Sequence, residues 1–135
     1  MKSFRILIAD DHEIVRRGLR SLLQGHDGWE ICGEAVDGSE AVEKIARLKP
    51  NLAIVDIRMP KLNGLEVTRQ VMQREPRMAV LVLTIDESEY ALREALKSGA
   101  KGFLRKSDAA RSLTAAVEAL ERGQTFVTPR YWIGQ

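Results

Sequence analysis

The sequence predicts one doubly wound α/β domain on a five-stranded parallel sheet, and three observations carry that prediction. Short apolar runs alternate with amphipathic stretches five times between Phe4 and Arg122, as expected of strand-helix pairs joined by right-handed crossovers. The runs ending at Asp56 and Leu83 lack the in-and-out alternation of a half-exposed strand, which fits a sheet covered on both faces. Breakers close the helical stretches at Gly25, Pro50, Pro76, Gly99 and Gly123, because proline lacks an N-H and glycine enters the left-handed region freely. With 135 residues, 44% of them hydrophobic, the chain supports one core and is too short for two ordinary domains. That domain is expected over 1–122, with 123–135 as a linker or C-terminal tail containing Pro129.

Phe4 to Ala9 (FRILIA) reads as the first strand and runs directly into Asp10, Asp11 and His12. From Glu13 to Gln24, Val15, Leu19, Leu22 and Leu23 share one helical face, with Arg16, Arg17 and Arg20 elsewhere. Trp29 to Ala35 is the second strand, interrupted by Glu30 and Glu34. Asp37-Gly38-Ser39-Glu40 has capping-box spacing. The helix it opens should turn Val42, Ile45 and Ala46 inward. Asn51 to Asp56 is the third strand, and Pro60, with no donor for a ladder, places the next segment in a loop. Asn63-Gly64 opens a helix with Leu65, Thr68, Val71 and Met72 on one face. Ala79 to Leu83 is the fourth strand, followed by Thr84 and then a helix over Glu87 to Ser98 with Leu92, Ala95 and Leu96 inward. Gly102-Phe103-Leu104 is the fifth strand, followed by Arg105 and Lys106. Asp108 to Arg122 is the last helix, with Leu113, Ala116, Val117 and Leu120 at helical spacing.

Function follows from what stands at the strand ends. In the flavodoxin-like order 2-1-3-4-5, the first and third strands meet at the switch point, where ligands gather beyond the carboxyl ends. Asp10 and Asp11 are thereby expected beside Asp56. Three carboxylates in one crevice repel each other unless a cation enters, and an all-oxygen site that also serves phosphate suits Mg²⁺. Thr84 adds a hydroxyl and Lys106 a positive charge, so together they can hold a phosphoryl group carried by Asp56, which carboxylate nucleophiles form. Singly, each residue has an ordinary structural role: Asp10 and Asp11 as a helix cap with a first-turn acid, Asp56 as a turn former, Thr84 as a strand end, Lys106 as a solvated lysine. His12 has no second His or Cys nearby and reads as a first-turn surface residue.

Composition excludes other classes. Lys+Arg 21 against Asp+Glu 19 gives +2, without a basic block or basic-aromatic stripe, so this piece is not expected to bind nucleic acid itself. The single Cys32 forms no internal disulfide and suggests a reducing, cytoplasmic setting. Neither a signal peptide nor a membrane span is visible.

The stretches ILIADDHEIVRRGLRSLL, VDIRMPKLNGLE, VLVLT and GAKGFLRK resemble the response-regulator receiver domains of two-component signalling, from Met1 to about Arg122. DDHEIVRRGL is closest in style to NarL/FixJ-type regulators, which carry a LuxR-type helix-turn-helix. The resemblance implies that Asp56 is the phosphoacceptor, and that Asp10, Asp11, Asp56 and the backbone carbonyl of Arg58 hold Mg²⁺. It further implies that Thr84 and Lys106 bind the phosphoryl group and that Phe103 is a switch aromatic working with Thr84. Implied partners are a sensor histidine kinase, a second copy on phosphorylation, and DNA only through an output domain absent from this chain. The protein would be a signalling phosphoacceptor rather than an enzyme in the usual sense. Phe103 departs from the tyrosine often found at the switch, and no segment before Gln135 is left to encode a helix-turn-helix.

The expected function is thus a Mg²⁺-dependent receiver excised from a DNA-binding regulator, with a stand-alone phosphorelay receiver as rival. A Mg²⁺-dependent aspartyl-phosphate phosphatase is a third reading, although its usual second acid two residues after the nucleophile is replaced here by Arg58. A nucleotide-binding protein is disfavoured, because no Gly-rich phosphate loop follows the first strand. Arg58 and Asp86, two positions after Asp56 and Thr84 respectively, are expected on opposite rims of the crevice. There they would form a lid that shields the phosphoryl bond from water and tunes its lifetime.

Overall fold

β1 (Phe4–Ala9), β2 (Trp29–Ala35), β3 (Leu52–Asp56), β4 (Ala79–Thr84) and β5 (Gly102–Arg105) follow the apolar runs of the sequence. The computed structural model describes residues 3–85 and 88–127. The helices α1 (Glu13–Leu23), α2 (Gly38–Leu48), α3 (Gly64–Arg74), α4 (Glu89–Lys97) and α5 (Ala109–Glu121) alternate with the strands, and a 3₁₀ turn over Lys106–Asp108 leads into α5. All strand pairs are parallel. The order is β2-β1-β3-β4-β5-β6, where β6 (Phe126–Val127) is a sixth, edge strand beside β5. The expected sheet had five strands and left 123–135 outside it. Two residues carry no periodicity, and backbone pairing with Gly102 and Phe103 recruits them.

Burial on both sides follows from the alternation of side chains along each strand. Leu7, Ala9, Ala53, Val55, Val80 and Val82 face one way and join residues of α2, α3 and α4. Ile6, Ile8, Leu52, Ile54, Leu81 and Leu83 face the other way and join α1 and α5. β3 and β4 are buried at every position, which explains why their sequences show no alternation.

Helix faces depart from expectation in three places. On α2 the inward residues are Ala41 and Ile45, while Ala46 is exposed. On α4 they are Ala91 and Ala95, and Leu96 is 42% exposed. On α1 Leu19 and Leu23 are buried, whereas Leu22 lies at the surface. In each case the rest of the expected face does meet the core, and the residue that falls outside it lies at the edge of the stripe. Caps also differ. Asp37 accepts from Glu40 N, but the Glu40 carboxylate reaches back to Val36 N (2.7 Å), one residue beyond the cap. The reciprocal box belongs to α3, where Asn63 accepts from Leu65 N and Glu66 N and Glu66 accepts from Asn63 N.

Candidate functional site

Because the strands are parallel, their carboxyl ends lie along one edge. Asp10 follows β1, Asp56 is the last residue of β3, Thr84 the last of β4, and Lys106 the first after β5. Gly64 fixes how α3 meets that edge. A Cβ there would stand 2.3 Å from the Asp56 carbonyl oxygen, so only glycine lets the helix start so close beneath the acid. Gly64 N also donates to Ile57 O (2.8 Å).

The predicted acids and lysine converge. Lys106 Nζ lies 2.9 Å from Asp10 Oδ2 and 3.1 Å from Asp56 Oδ2. Asp10 and Asp56 are 1% and 4% exposed, so these charges interact with little water between them. Burial pushes the Asp56 carboxyl above its usual range, and the neighbouring Asp10 charge adds to this, while Lys106 and the Arg58 N-H pull it back. Burial alone would lower Lys106, but its contacts with Asp10 and Asp56 outweigh that and hold it above its ordinary value. Thr84 is buried at 2% exposure on the neighbouring strand.

The donor set fits a hard divalent cation. One ligand atom from each of Asp10, Asp11, His12 and Asp56 lies within 4.8 Å of the others. The buried Asp10 Oδ2 faces Lys106 Nζ at 2.9 Å, an ammonium that it shares with Asp56 Oδ2. Two buried carboxylates on one ammonium leave negative charge for a further cation to offset. His12 stands at the N-cap position of α1 without a capping side-chain bond and is exposed, as read from the sequence; its Nδ1 stands 3.1 Å from Asp10 Oδ1 and 3.2 Å from Asp11 Oδ1.

The remaining predicted residues divide. Arg58 is exposed, and its N-H donates to Asp56 Oδ1 at 3.4 Å. Its guanidinium has no ion pair among the described residues, and Asp86 lies outside them. Phe103 is completely buried in the cluster that contains Ala91, Ala95 and Ala100. Sequence reasoning missed Arg16 and Glu34, a half-buried pair beside the acids. The signal was present, since a glutamate inside an apolar strand needs a cation and the neighbouring helix offers arginines.

A family model, the response regulator receiver domain, matches residues 6–118. The chain belongs to that family. Over 126 residues this receiver domain is 37% identical to the transcriptional regulatory protein DegU of Brevibacillus brevis, covering 93% of the chain and 53% of DegU. It is 35% identical to the oxygen regulatory protein NreC of Staphylococcus carnosus, covering 93% of the chain and 58% of NreC. The receiver domain thus spans somewhat over half the length of these relatives. Its fold matches a LuxR-family two-component response regulator from Aurantimonas sp. SI85-9A1 at TM-score 0.90 and 30% identity, covering 96% of this chain and 92% of that one. It also matches the receiver domain of the putative response regulator NarL from Mycobacterium tuberculosis at TM-score 0.87 and 31% identity, covering 92% and 100%. These relatives bear out the NarL/LuxR-type resemblance read from the sequence. No helix among the described residues is long and apolar enough to cross a membrane.

Proposed function

We propose that this receiver domain takes a phosphoryl group from a sensor histidine kinase onto Asp56, in a reaction that needs Mg²⁺, and later loses it by hydrolysis. The observation that carries this reading is the pair of buried carboxylates, Asp56 and Asp10, that share the Lys106 ammonium at 3.1 Å and 2.9 Å. An Asp56 oxygen attacks phosphorus while the bond from phosphorus to the donor imidazole nitrogen breaks, the bonding pair returning to that nitrogen. Lys106 keeps Asp56 ionised for the attack and is placed to pair with a phosphoryl oxygen afterwards. The Thr84 hydroxyl, at the end of the adjacent strand, donates to another phosphoryl oxygen. Mg²⁺ held by Asp10, Asp11, Asp56 and the backbone carbonyl of Arg58 would offset the charge that the phosphoryl group brings.

The deciding experiment is intact mass after treatment with a small-molecule phosphodonor and Mg²⁺. Wild type is expected to gain one phosphoryl group and Asp56→Asn none; an equal gain in the variant would reassign the acceptor.

As in DegU and NreC, whose names describe regulators, the parent protein is proposed to be a cytoplasmic transcription regulator. It would dimerise on phosphorylation and contact DNA through an output domain outside this chain. RcsB of Salmonella typhimurium, 27% identical with TM-score 0.87, is described in terms of DNA interaction.

Arg58 is proposed to lengthen the phosphoryl lifetime. Its side chain is exposed at the rim, two residues from Asp56, where a guanidinium parked over the crevice excludes water in line with the phosphorus. A partnership with Asp86 would contribute only about 0.2–1 kcal/mol at an exposed rim, so the effect should be kinetic. Arg58→Ala is expected to speed dephosphorylation several-fold with phosphorylation by a small donor nearly unchanged. Decay at fixed Mg²⁺ measures this, and unchanged or slower decay would remove the lid.

A further inference from the structure

Arg16 makes contacts for which the phosphoryl chemistry has no use. It lies off the apolar face of α1, yet its side chain is only 13% exposed. Nη1 donates to the backbone carbonyl of Asp10 at 2.6 Å, and Nε donates to Glu34 Oε1 at 2.9 Å. Glu34 is itself held on β2, where its other carboxylate oxygen accepts from Arg20 Nη1 and its carbonyl accepts from Lys44 Nζ at 2.6 Å. The carbonyl that Arg16 grips belongs to the peptide joining Asp10 to Asp11. On the other side of Asp10, its N-H donates to Ala35 O of β2 at 3.0 Å.

A peptide plane turns as a unit about the flanking single bonds. Turning the Asp10-Asp11 plane would swing Asp11 relative to the buried Asp10. β2 restrains both sides of Asp10, directly through Ala35 and indirectly through Glu34 and Arg16. We propose that Arg16 is a positioning residue for the cation site, fixing the mutual aim of Asp10 and Asp11 by holding the peptide between them against β2. This inference rests on the Mg²⁺ reading above.

Charge and position predict opposite signs. A guanidinium near a cation site repels the ion, so if only its charge mattered, removing Arg16 would tighten Mg²⁺ binding. Removing a positioning contact weakens it, by roughly 10–100-fold where the residues that orient metal ligands are lost. Arg20 provides the control. It carries the same charge and grips the same glutamate, but it does not touch the Asp10 carbonyl.

The test is calorimetric titration of the full chain with Mg²⁺, in wild type, Arg16→Ala, Arg16→Lys and Arg20→Ala, with a thermal melt of each. The Mg²⁺ Kd is expected to rise about tenfold in Arg16→Ala. Arg16→Lys should show a smaller rise, because an ammonium lacks the planar fork that serves two acceptors at once. Arg20→Ala should bind as wild type does. Unchanged or tighter binding in folded Arg16→Ala, or equal weakening in Arg20→Ala, overturns the proposal. Should Arg16→Ala not fold, wild-type affinity in Arg16→Lys overturns it instead. Absence of Mg²⁺ binding by wild type itself would overturn the metal reading and this inference with it, which separates the two failures.

Discussion

Chelation of Mg²⁺ is expected to reduce phosphoryl adduct formation on Asp56 to background, and Asp11→Ala to do nearly the same. The reason is charge. Asp10 and Asp56 are already buried together with Lys106 as their shared cation, and Asp56 is raised by burial and by Asp10 even with that lysine present. A phosphoryl group adds further negative charge at neutral pH, which one ammonium cannot offset. Asp11 is exposed at the mouth of the site, so its loss removes a ligand without opening a core cavity. Undiminished adduct in excess chelator would sink the model. Lys106→Ala separates the roles: it should still bind Mg²⁺ yet respond weakly to phosphorylation, and a loss of metal affinity as large as that of Asp11→Ala would contradict the assignment.

Stability gives the same prediction a second readout. A carboxyl whose folded pKa lies above its unfolded value favours the fold below the unfolded pKa, and that contribution is lost as pH rises through the folded value. Above that folded value Asp56 therefore contributes least to the fold, with only the shared Lys106 ammonium to offset its charge. Lys106, raised above its ordinary value, keeps its contribution throughout the neutral range. Mg²⁺ should stabilise wild type at pH 7 by about 2.7 kcal/mol at a concentration about 100-fold above Kd, and so raise its melting temperature. Asp56→Asn should melt higher than wild type without metal and gain less from it.

The strands and the convergence of the candidate site's residues were legible because each rests on a local signal. An apolar run ending in a carboxylate, hydroxyl or lysine marks both the element and its functional edge, and topology alone brings those ends together. Asp10, Asp56 and Lys106 meet as this logic requires. What escaped was set by partners distant in sequence. Arg16 reads as a solvated helix residue until Glu34, eighteen positions away, is seen to face it. Gly64 reads as a helix start, whereas its stricter role comes from the Asp56 carbonyl packed against it. Ile45 and Ala95 were legible as inward residues, whereas Ala46 and Leu96 turn out exposed and the small Ala41 and Ala91 are buried beside them. β6 has no sequence signature at all, since a two-residue edge strand gains its hydrogen bonds from β5 rather than from its own residues.

Phe103→Ala is expected to cost about 3–5 kcal/mol of folding stability, the usual range for removing a fully buried ring. Phe103 has 0% exposure and is the largest completely buried side chain among the described residues. It belongs to the cluster that also holds Val80 and Val82 of β4, Ala91 and Ala95 of α4, and Ala100, so its removal opens a void in the core. Against a total stability of roughly 5–15 kcal/mol for such a domain, that loss should shift the urea midpoint strongly. A cost under about 1 kcal/mol would show that the ring is not a packed core element. The same burial changes how the switch must work. The ring already occupies the inner position beside β4, so the proposed coupling has Thr84, when drawn to a phosphoryl oxygen, hold Phe103 inside and bias the packing of α4 rather than open a new slot for it. Thr84→Ala is then expected to accept phosphate while losing most of the phosphorylation-induced NMR shifts around Phe103 and α4. Phe103→Tyr places a hydroxyl where burial without a partner costs about 1–3 kcal/mol, which favours an outward ring. Wild-type shifts on phosphorylation in Thr84→Ala would uncouple the threonine from the aromatic and leave Phe103 with a packing role alone.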